Sequence, residues 1–173
     1  MLRQWYEIEG TVWSFSDNVD TDQILPGYAM VMPTESMKDY AMAGSACMDF
    51  AQKVRGGDII VGGWNFGCGS SREQAPIALK GAGVGLILAK SFGRIFKRNC
   101  INIGLPAMII DTLSVVKHGS SVRANLLDAV VYVGAGSERV KCKRLSESDL
   151  QTLAHGGLIN KLREQLGNNK GNF

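Results

Sequence analysis

The run Asn65-Phe66-Gly67-Cys68-Gly69-Ser70-Ser71-Arg72-Glu73-Gln74 lies between an apolar stretch, Asp58-Ile59-Ile60-Val61, and the segment Ala75-Pro76-Ile77-Ala78-Leu79-Lys80. The first flank reads as a strand and the second as the start of a helix, which makes the run a strand-to-helix turn. Glycines at 67 and 69 permit a tight bend and let backbone approach a small ligand. Two hydroxyls and a guanidinium then fall where the free N–H groups of a helix N-terminus can face an anion. Arg72 adds a planar fork that grips a carboxylate through two parallel hydrogen bonds. The turn is expected to bind a carboxylate beside a serine able to act as nucleophile or base. The plain alternative is a Ser N-cap on the following helix. A Walker loop is excluded because no Lys-Ser/Thr follows the second glycine, and Gly-x-Ser-x-Gly because no glycine stands two residues after either serine.

Working outward, residues 84–89 read as a second buried strand, so strand, helix (71–81) and strand imply a parallel pair with a right-handed crossover. A helix over 91–100 and a strand over 107–110 follow. Upstream, residues 7–15 alternate as a strand with Ile8, Gly10 and Val12 on one face, and an Asp/Asn-rich loop runs through Asp22. Residues 26–33 are apolar but bracketed by prolines, which suits a loop better than a core strand. One or two short helices are expected within 37–50, and short strands at 121–126, 129–133 and 139–143. A C-terminal helix over 148–166 is weakened or divided by Gly156-Gly157, with a frayed tail over 168–173. Without a repeat or linker, the chain reads as a single α/β domain, 1–173.

At 173 residues such a domain can bury a proper core. Apolar content of 45% and charged content of 20% describe a globular protein, neither disordered nor membrane-embedded. No apolar run approaches the roughly eighteen residues of a membrane span, and residues 1–6 lack a signal-peptide core, so a cytoplasmic protein is expected. A net charge of +3 is too mild for nucleic-acid binding. The densest basic patch, Lys90, Arg94, Lys97 and Arg98, is read as a solvated helix face or a contact with a partner, and Phe92 and Phe96 as core. Cys47, Cys68, Cys100 and Cys142 are scattered, and the histidines are His118 and His155 alone. That pattern argues against a metal or iron–sulfur cluster held by this chain, and against a disulfide framework. Cys68, inside the serine turn, is read as a small buried filler.

The string Gly67-Cys68-Gly69-Ser70-Ser71-Arg72-Glu73 closely resembles the signature of the swivelling domain of aconitase-type hydro-lyases, above all the 3-isopropylmalate dehydratase small-subunit family. Other blocks agree in the same order. Residues 15–27 resemble the family's Asp-x-(Asp/Asn)-Thr-Asp-x-Ile-x-Pro element, and 89–99 and 102–106 match further along. The tail Gly156-Gly157-Leu158-Ile159 is similar to the small subunit's closing helix. The resemblance implies a swivelling β/β/α fold and a separate large subunit whose cysteines hold a [4Fe–4S] cluster, this chain binding no cofactor alone. It also implies a small di- or tricarboxylate substrate and a step of leucine, hence branched-chain amino acid, biosynthesis. Whether the isolated chain forms homodimers or larger oligomers stays open.

The implied reaction moves a hydroxyl between neighbouring carbons by dehydration and rehydration. It begins with loss of a poorly acidic proton alpha to a carboxylate, whose developing charge needs electrostatic support. A Lewis-acidic iron in the partner would take the leaving hydroxyl. The family's base is the first serine of the pair, acting as an alkoxide, and that role carries over to Ser70. Backbone donors and cationic neighbours must then lower its pKa. The resemblance gives Ser71 and Arg72 the substrate carboxylate, and gives Asp22, with Thr21 beside it, the organisation of the site around hydroxyl or water. For Asp22 the alternative is an Asx-turn or cap residue. Substrate choice is expected in the loop Tyr28, Ala29, Met30 and Val31, where homoaconitase- and aconitase-like relatives place an arginine; here none occurs between Arg3 and Arg55. An apolar loop suits an isopropyl group, which makes isopropylmalate the leading substrate. A methyl-substituted malate or homoaconitate is the alternative, and a regulatory or scaffold paralogue or a carboxylate-binding module the reading without catalysis. The loop departs from the family's Tyr-Leu-x-x pattern and is about one residue shorter.

Overall fold

The computed structural model describes residues 4–134 and 138–168. Seven strands form one sheet in the order β4-β3-β2-β1-β5-β6-β7. They are β1 (Glu7–Ser14), β2 (Ile59–Gly62), β3 (Leu86–Ala89), β4 (Ala107–Ile109), β5 (Ser121–Asn125), β6 (Val130–Val133) and β7 (Glu138–Lys141). The first four are parallel, with Val12 opposite Ile59, Ile59 opposite Leu86 and Ile87 opposite Ala107. From β1 onward the pairing is antiparallel, with Ile8 opposite Ala124 and Val131 opposite both Ala124 and Val140. The outer edges then meet. Ile110 bridges Cys142, and the Lys143 N–H donates to the Ile109 carbonyl at 2.8 Å, so the sheet curls onto itself. That curl satisfies edge groups that an open sheet would leave unpaired.

Alternation within each strand separates two cores. Val12, Ile59, Val61, Leu86, Leu88, Met108, Val122 and Val131 fill the inside of the curl. Ile60, Ile87, Ala89 and Ala107 face the other way, against Ile24, Phe50, Phe66, Leu79 and Phe96. Every residue of β2 and β3 is buried, as continuous apolar strands covered on both faces should be. Each such Ile or Leu side chain contributes roughly 1.5–3 kcal/mol. Asp58, buried at the start of β2, accepts from the Thr11 N–H at 3.0 Å, the Trp13 indole at 2.9 Å and the Arg55 N–H at 2.9 Å. One carboxylate thereby ties β1 to β2.

The helices are α1 (Thr21–Ile24), α2 (Phe50–Lys53), α3 (Gln74–Ala82), α4 (Arg94–Asn102), α5 (Glu147–Ala154) and α6 (Leu158–Asn168). Two 3-10 segments, Gly27–Val31 and Thr34–Tyr40, occupy the proline-bracketed stretch and the beginning of the region expected to be helical. The divided C-terminal helix is as expected: Gly156 and Gly157 take φ of 74° and 132° between α5 and α6. The tail expected to fray lies outside the described residues, apart from Asn168 at the end of α6.

Two helix starts differ from the sequence reading. α3 begins at Gln74 rather than 71, which places Pro76 in its first turn. A start at 71 would put that proline in the interior, where it removes a hydrogen bond and clashes with the preceding turn. The Ser N-cap alternative also fails, because the cap is Glu73 and makes no side-chain cap bond. α4 begins at Arg94 rather than 91, so Lys90 and Phe92 precede the helix; Lys90 Nζ donates to the Asp111 carbonyl instead.

Candidate active site

Beyond their carboxyl ends, β1, β2 and β3 continue as loops that keep the same side-by-side order. The Phe66 N–H donates to the Ser91 carbonyl at 3.0 Å, and the Gly93 N–H to the Phe66 carbonyl at 2.8 Å. On the opposite side, the Gly67 N–H donates to the Val19 carbonyl at 2.7 Å, and the Thr21 N–H to the Cys68 carbonyl at 2.9 Å. The serine turn is therefore threaded between the loops that follow β1 and β3. Open parallel sheets bind ligands at this end of their strands. Asn65 and Asn18 brace the crossing, their side chains bonded at 3.2 Å and both in left-handed backbone.

Gly67 is demanded twice. Its φ is +74°, and a Cβ there would meet the Phe96 ring at 2.1 Å. This close approach brings the N-terminal turn of α4 against the serine turn. The resulting cavity, about 310 Å³, is lined by Ser70 and Ser71 together with Asn65, Cys68, Arg94 and Phe96. Both serines are solvent-exposed. Cys68 is half-buried on the cavity wall, not the buried filler expected.

The Asp-Thr-Asp element reaches the turn from below. Asp20 caps α1 in a reciprocal capping box with Gln23, at 2.8 and 2.9 Å. The cap alternative thus belongs to Asp20, and Asp22 is released to the surface. There Asp22 accepts from Arg72 Nη1 in an ion pair spanning fifty residues. The Arg72 side chain is 22% exposed, so its guanidinium is held but reachable.

Thr21 is 1% exposed, and its hydroxyl donates to the Ser70 carbonyl at 3.2 Å, a bond that holds the serine turn. In the loop, Ala29 is fully buried in the helix-side core. Tyr28 and Val31 face solvent, 61% and 85% exposed, with Met30 half-buried; none of the four lines the serine cavity. Arg94 is the residue that sequence reasoning passed over. Its spacing marks a basic helix face, yet it lines the cavity with Ser70; the one sequence signal is its place in the string 89–99, which carries part of the family resemblance.

Among the described residues, no group of three or more His, Cys, Asp or Glu side chains is placed to hold a metal ion. Burial pushes the Cys142 thiol up to about 12 and that of Cys100 higher still. Also among the described residues, no helix is long and apolar enough to cross a membrane.

A parallel β-α-β core carrying a Ser-Ser-Arg turn against an Asp-Thr-Asp loop defines an aconitase-type swivelling domain, and the Aconitase C-terminal domain family matches residues 4–112. The chain belongs to this family, among the small subunits of the 3-isopropylmalate dehydratase type. It is 45% identical to the isopropylmalate/citramalate isomerase small subunit of Methanocaldococcus jannaschii, over 92% of this chain and 95% of that one. It is 48% identical to the methanogen homoaconitase small subunit of Methanothermobacter thermautotrophicus, over 88% and 89% of the two chains. The crystal structure of a 3-isopropylmalate dehydratase chain from Methanocaldococcus jannaschii superposes with a TM-score of 0.91, at 38% identity, over 96% and 99%.

Proposed function

We propose that this chain is the small subunit of a cytoplasmic heteromeric hydro-lyase that converts 2-isopropylmalate to 3-isopropylmalate in leucine biosynthesis, with Ser70 as the base. The observation that carries the proposal is the convergence of Ser70, Ser71 and the Arg72–Asp22 pair on one turn at the strand ends. Ser70 Oγ takes the proton from the carbon alpha to a carboxylate, and the hydroxyl leaves the adjacent carbon. Return of the proton and the hydroxyl to exchanged carbons gives the isomer. Arg94 on the cavity wall and the guanidinium of Arg72 supply positive charge that favours the ionised serine. Arg72 has five N–H donors, so one bond to Asp22 leaves others for a substrate carboxylate, which Ser71 also meets.

No described set of residues in this chain suits the [4Fe–4S] cluster, which the proposal assigns to the large subunit. There it supplies a Lewis acid for the hydroxyl. Tyr28, Met30 and Val31 form the apolar specificity surface, closed around the substrate once that subunit is present. A second reading, a citramalate-type substrate, is favoured by the name of the 45% identical relative. The name of the 48% identical relative favours homoaconitate in the same way, against which stands the lack of any cation in residues 27–33 to meet its extra carboxylate.

Anaerobic reconstitution with the large subunit, followed by assay on 2-isopropylmalate, citraconate, dimethylmaleate and homoaconitate, tests the proposal. Turnover of 2-isopropylmalate that falls about 10²–10⁴-fold in Ser70→Ala is expected. Turnover of only methyl-substituted acids keeps the chemistry and transfers the substrate. No turnover of any acid, with the cluster intact, refutes the enzyme reading and leaves a scaffold subunit or carboxylate-binding module.

A further inference from the structure

A second cavity, of about 450 Å³, opens between α4, the end of β4 and α5. Along α4, residues 94, 97, 98 and 101 follow the i, i+3, i+4, i+7 spacing of a single helix face, and all four line this cavity. Three of them are cations: Arg94, Lys97 and Arg98. Among the described residues, none of these three side chains has a hydrogen bond or ion pair. The carboxylate on the cavity wall is that of Asp149. Like charges at this spacing repel one another, and a single carboxylate leaves them undercompensated.

The shape says what would compensate them. The volume lies within the range of small-molecule sites, and Phe92, Ile101 and Ile109 give the cavity an apolar wall. Lys97 is half-buried, while Arg94 and Arg98 are exposed at the rim. A flat acidic protein surface would reach the two arginines but not the lysine between them; a ligand that enters the cavity reaches all three. Burial holds the Lys97 ammonium below the ordinary lysine range; Asp149 opposes that and Lys143 adds to it. An entering anion would relieve this strain on its charge.

We propose that the α4–α5 cavity is a binding site for a small organic dianion, carrying a hydrocarbon part and either two carboxylates or one phosphate. The proposal is independent of the reaction at Ser70. It assigns a use to a basic face that the catalytic reading leaves without one, except for Arg94, which lines both cavities.

The test is ¹H–¹⁵N NMR titration of the isolated full chain with isopropylsuccinate, inorganic phosphate and, as monoanion control, isovalerate. Lys97→Gln and Arg98→Gln are titrated alongside; neither residue lines the serine cavity, and Arg98 is exposed, so its variant is expected to fold. Saturable shifts at Phe92, Lys97, Ile101 and Asp149 with a dianion, weakened about tenfold or more in each variant, are expected. Isopropylsuccinate binding more tightly points to dicarboxylates as the natural class, and phosphate binding more tightly points to phosphate monoesters. Shifts confined to Ser70–Arg72, equal binding of isovalerate, or variants that bind like the wild type overturn the proposal. So does a result in which both variants bind the dianions normally but assemble poorly with the large subunit, which would make the stripe a partner contact.

Discussion

The hydroxyl of Thr21 donates to the backbone carbonyl of Ser70 at 3.2 Å, so a buried side chain from the loop after β1 sets the height of the serine turn after β2. With the Thr21 N–H on the Cys68 carbonyl at 2.9 Å and Asp22 on Arg72, three consecutive contacts clamp the two loops together. Preorganisation of this kind is what a weak base requires. Groups held before the substrate arrives need no rearrangement as charge develops.

Arg72→Lys keeps the charge and loses the fork. In the reconstituted enzyme, kcat/KM for 2-isopropylmalate should fall roughly 10–100-fold, chiefly through KM, because an ammonium cannot grip a substrate carboxylate through two parallel N–H bonds while also holding Asp22. Asp22→Asn should fall by less, since the guanidinium survives and only its anchor weakens. Steady-state kinetics of the two variants, measured against Ser70→Ala, separate binding from proton transfer.

Gly67→Ala places a methyl group against the Phe96 ring in a backbone of φ +74°. The expected loss is about 2–4 kcal/mol, from strain and overpacking together. In a chain of this size that lowers the melting temperature by roughly 5–15 °C. Differential scanning calorimetry reads it directly.

Asp58→Ala removes the common acceptor of the Thr11, Trp13 and Arg55 N–H groups, the half-buried Trp13 indole among them. A cost of about 3 kcal/mol is expected, because three hydrogen bonds to one buried carboxylate are lost together. Asp58→Asn retains one good acceptor and should lose less. Urea denaturation of the two variants checks the ranking.

The raised thiols set a pH limit. In the unfolded chain a cysteine ionises near 9.0, whereas burial holds Cys142 protonated up to about 12 and Cys100 beyond that. Above pH 9 the folded state therefore binds more protons than the unfolded one, so stability falls as pH rises from about 9 toward 12. Melting temperatures between pH 8 and 11 should decline accordingly. At pH 7.5, native alkylation counted by mass spectrometry should modify only Cys47 and Cys68, the two thiols that are not buried.

Much of the fold was legible because its signals are local. The continuous apolar run at 59–61 and the alternation in β1 are properties of short windows, and both strands stand where those windows indicated. The boundary errors were local as well. Pro76 already marks the late start of α3, since a proline suits the first turn of a helix and not its interior. In the loop after Pro26, composition alone could not separate Ala29, which turns into the core, from Val31 two residues later, which turns to water. A 3-10 turn changes which side chains share a face.

The chain by itself determined the strands, the two-glycine turn and the chemical character of Ser70, Ser71 and Arg72, since these depend on side-chain period, backbone freedom and functional groups within a few residues. Tertiary structure decided the rest. It paired Arg72 with Asp22, set the Thr21 hydroxyl on the Ser70 carbonyl, brought Arg94 to the serine cavity, and closed the sheet through Ile110 and Cys142. Each of these joins segments far apart in the chain. Their energies depend on how whole strands and helices pack, which no local window contains.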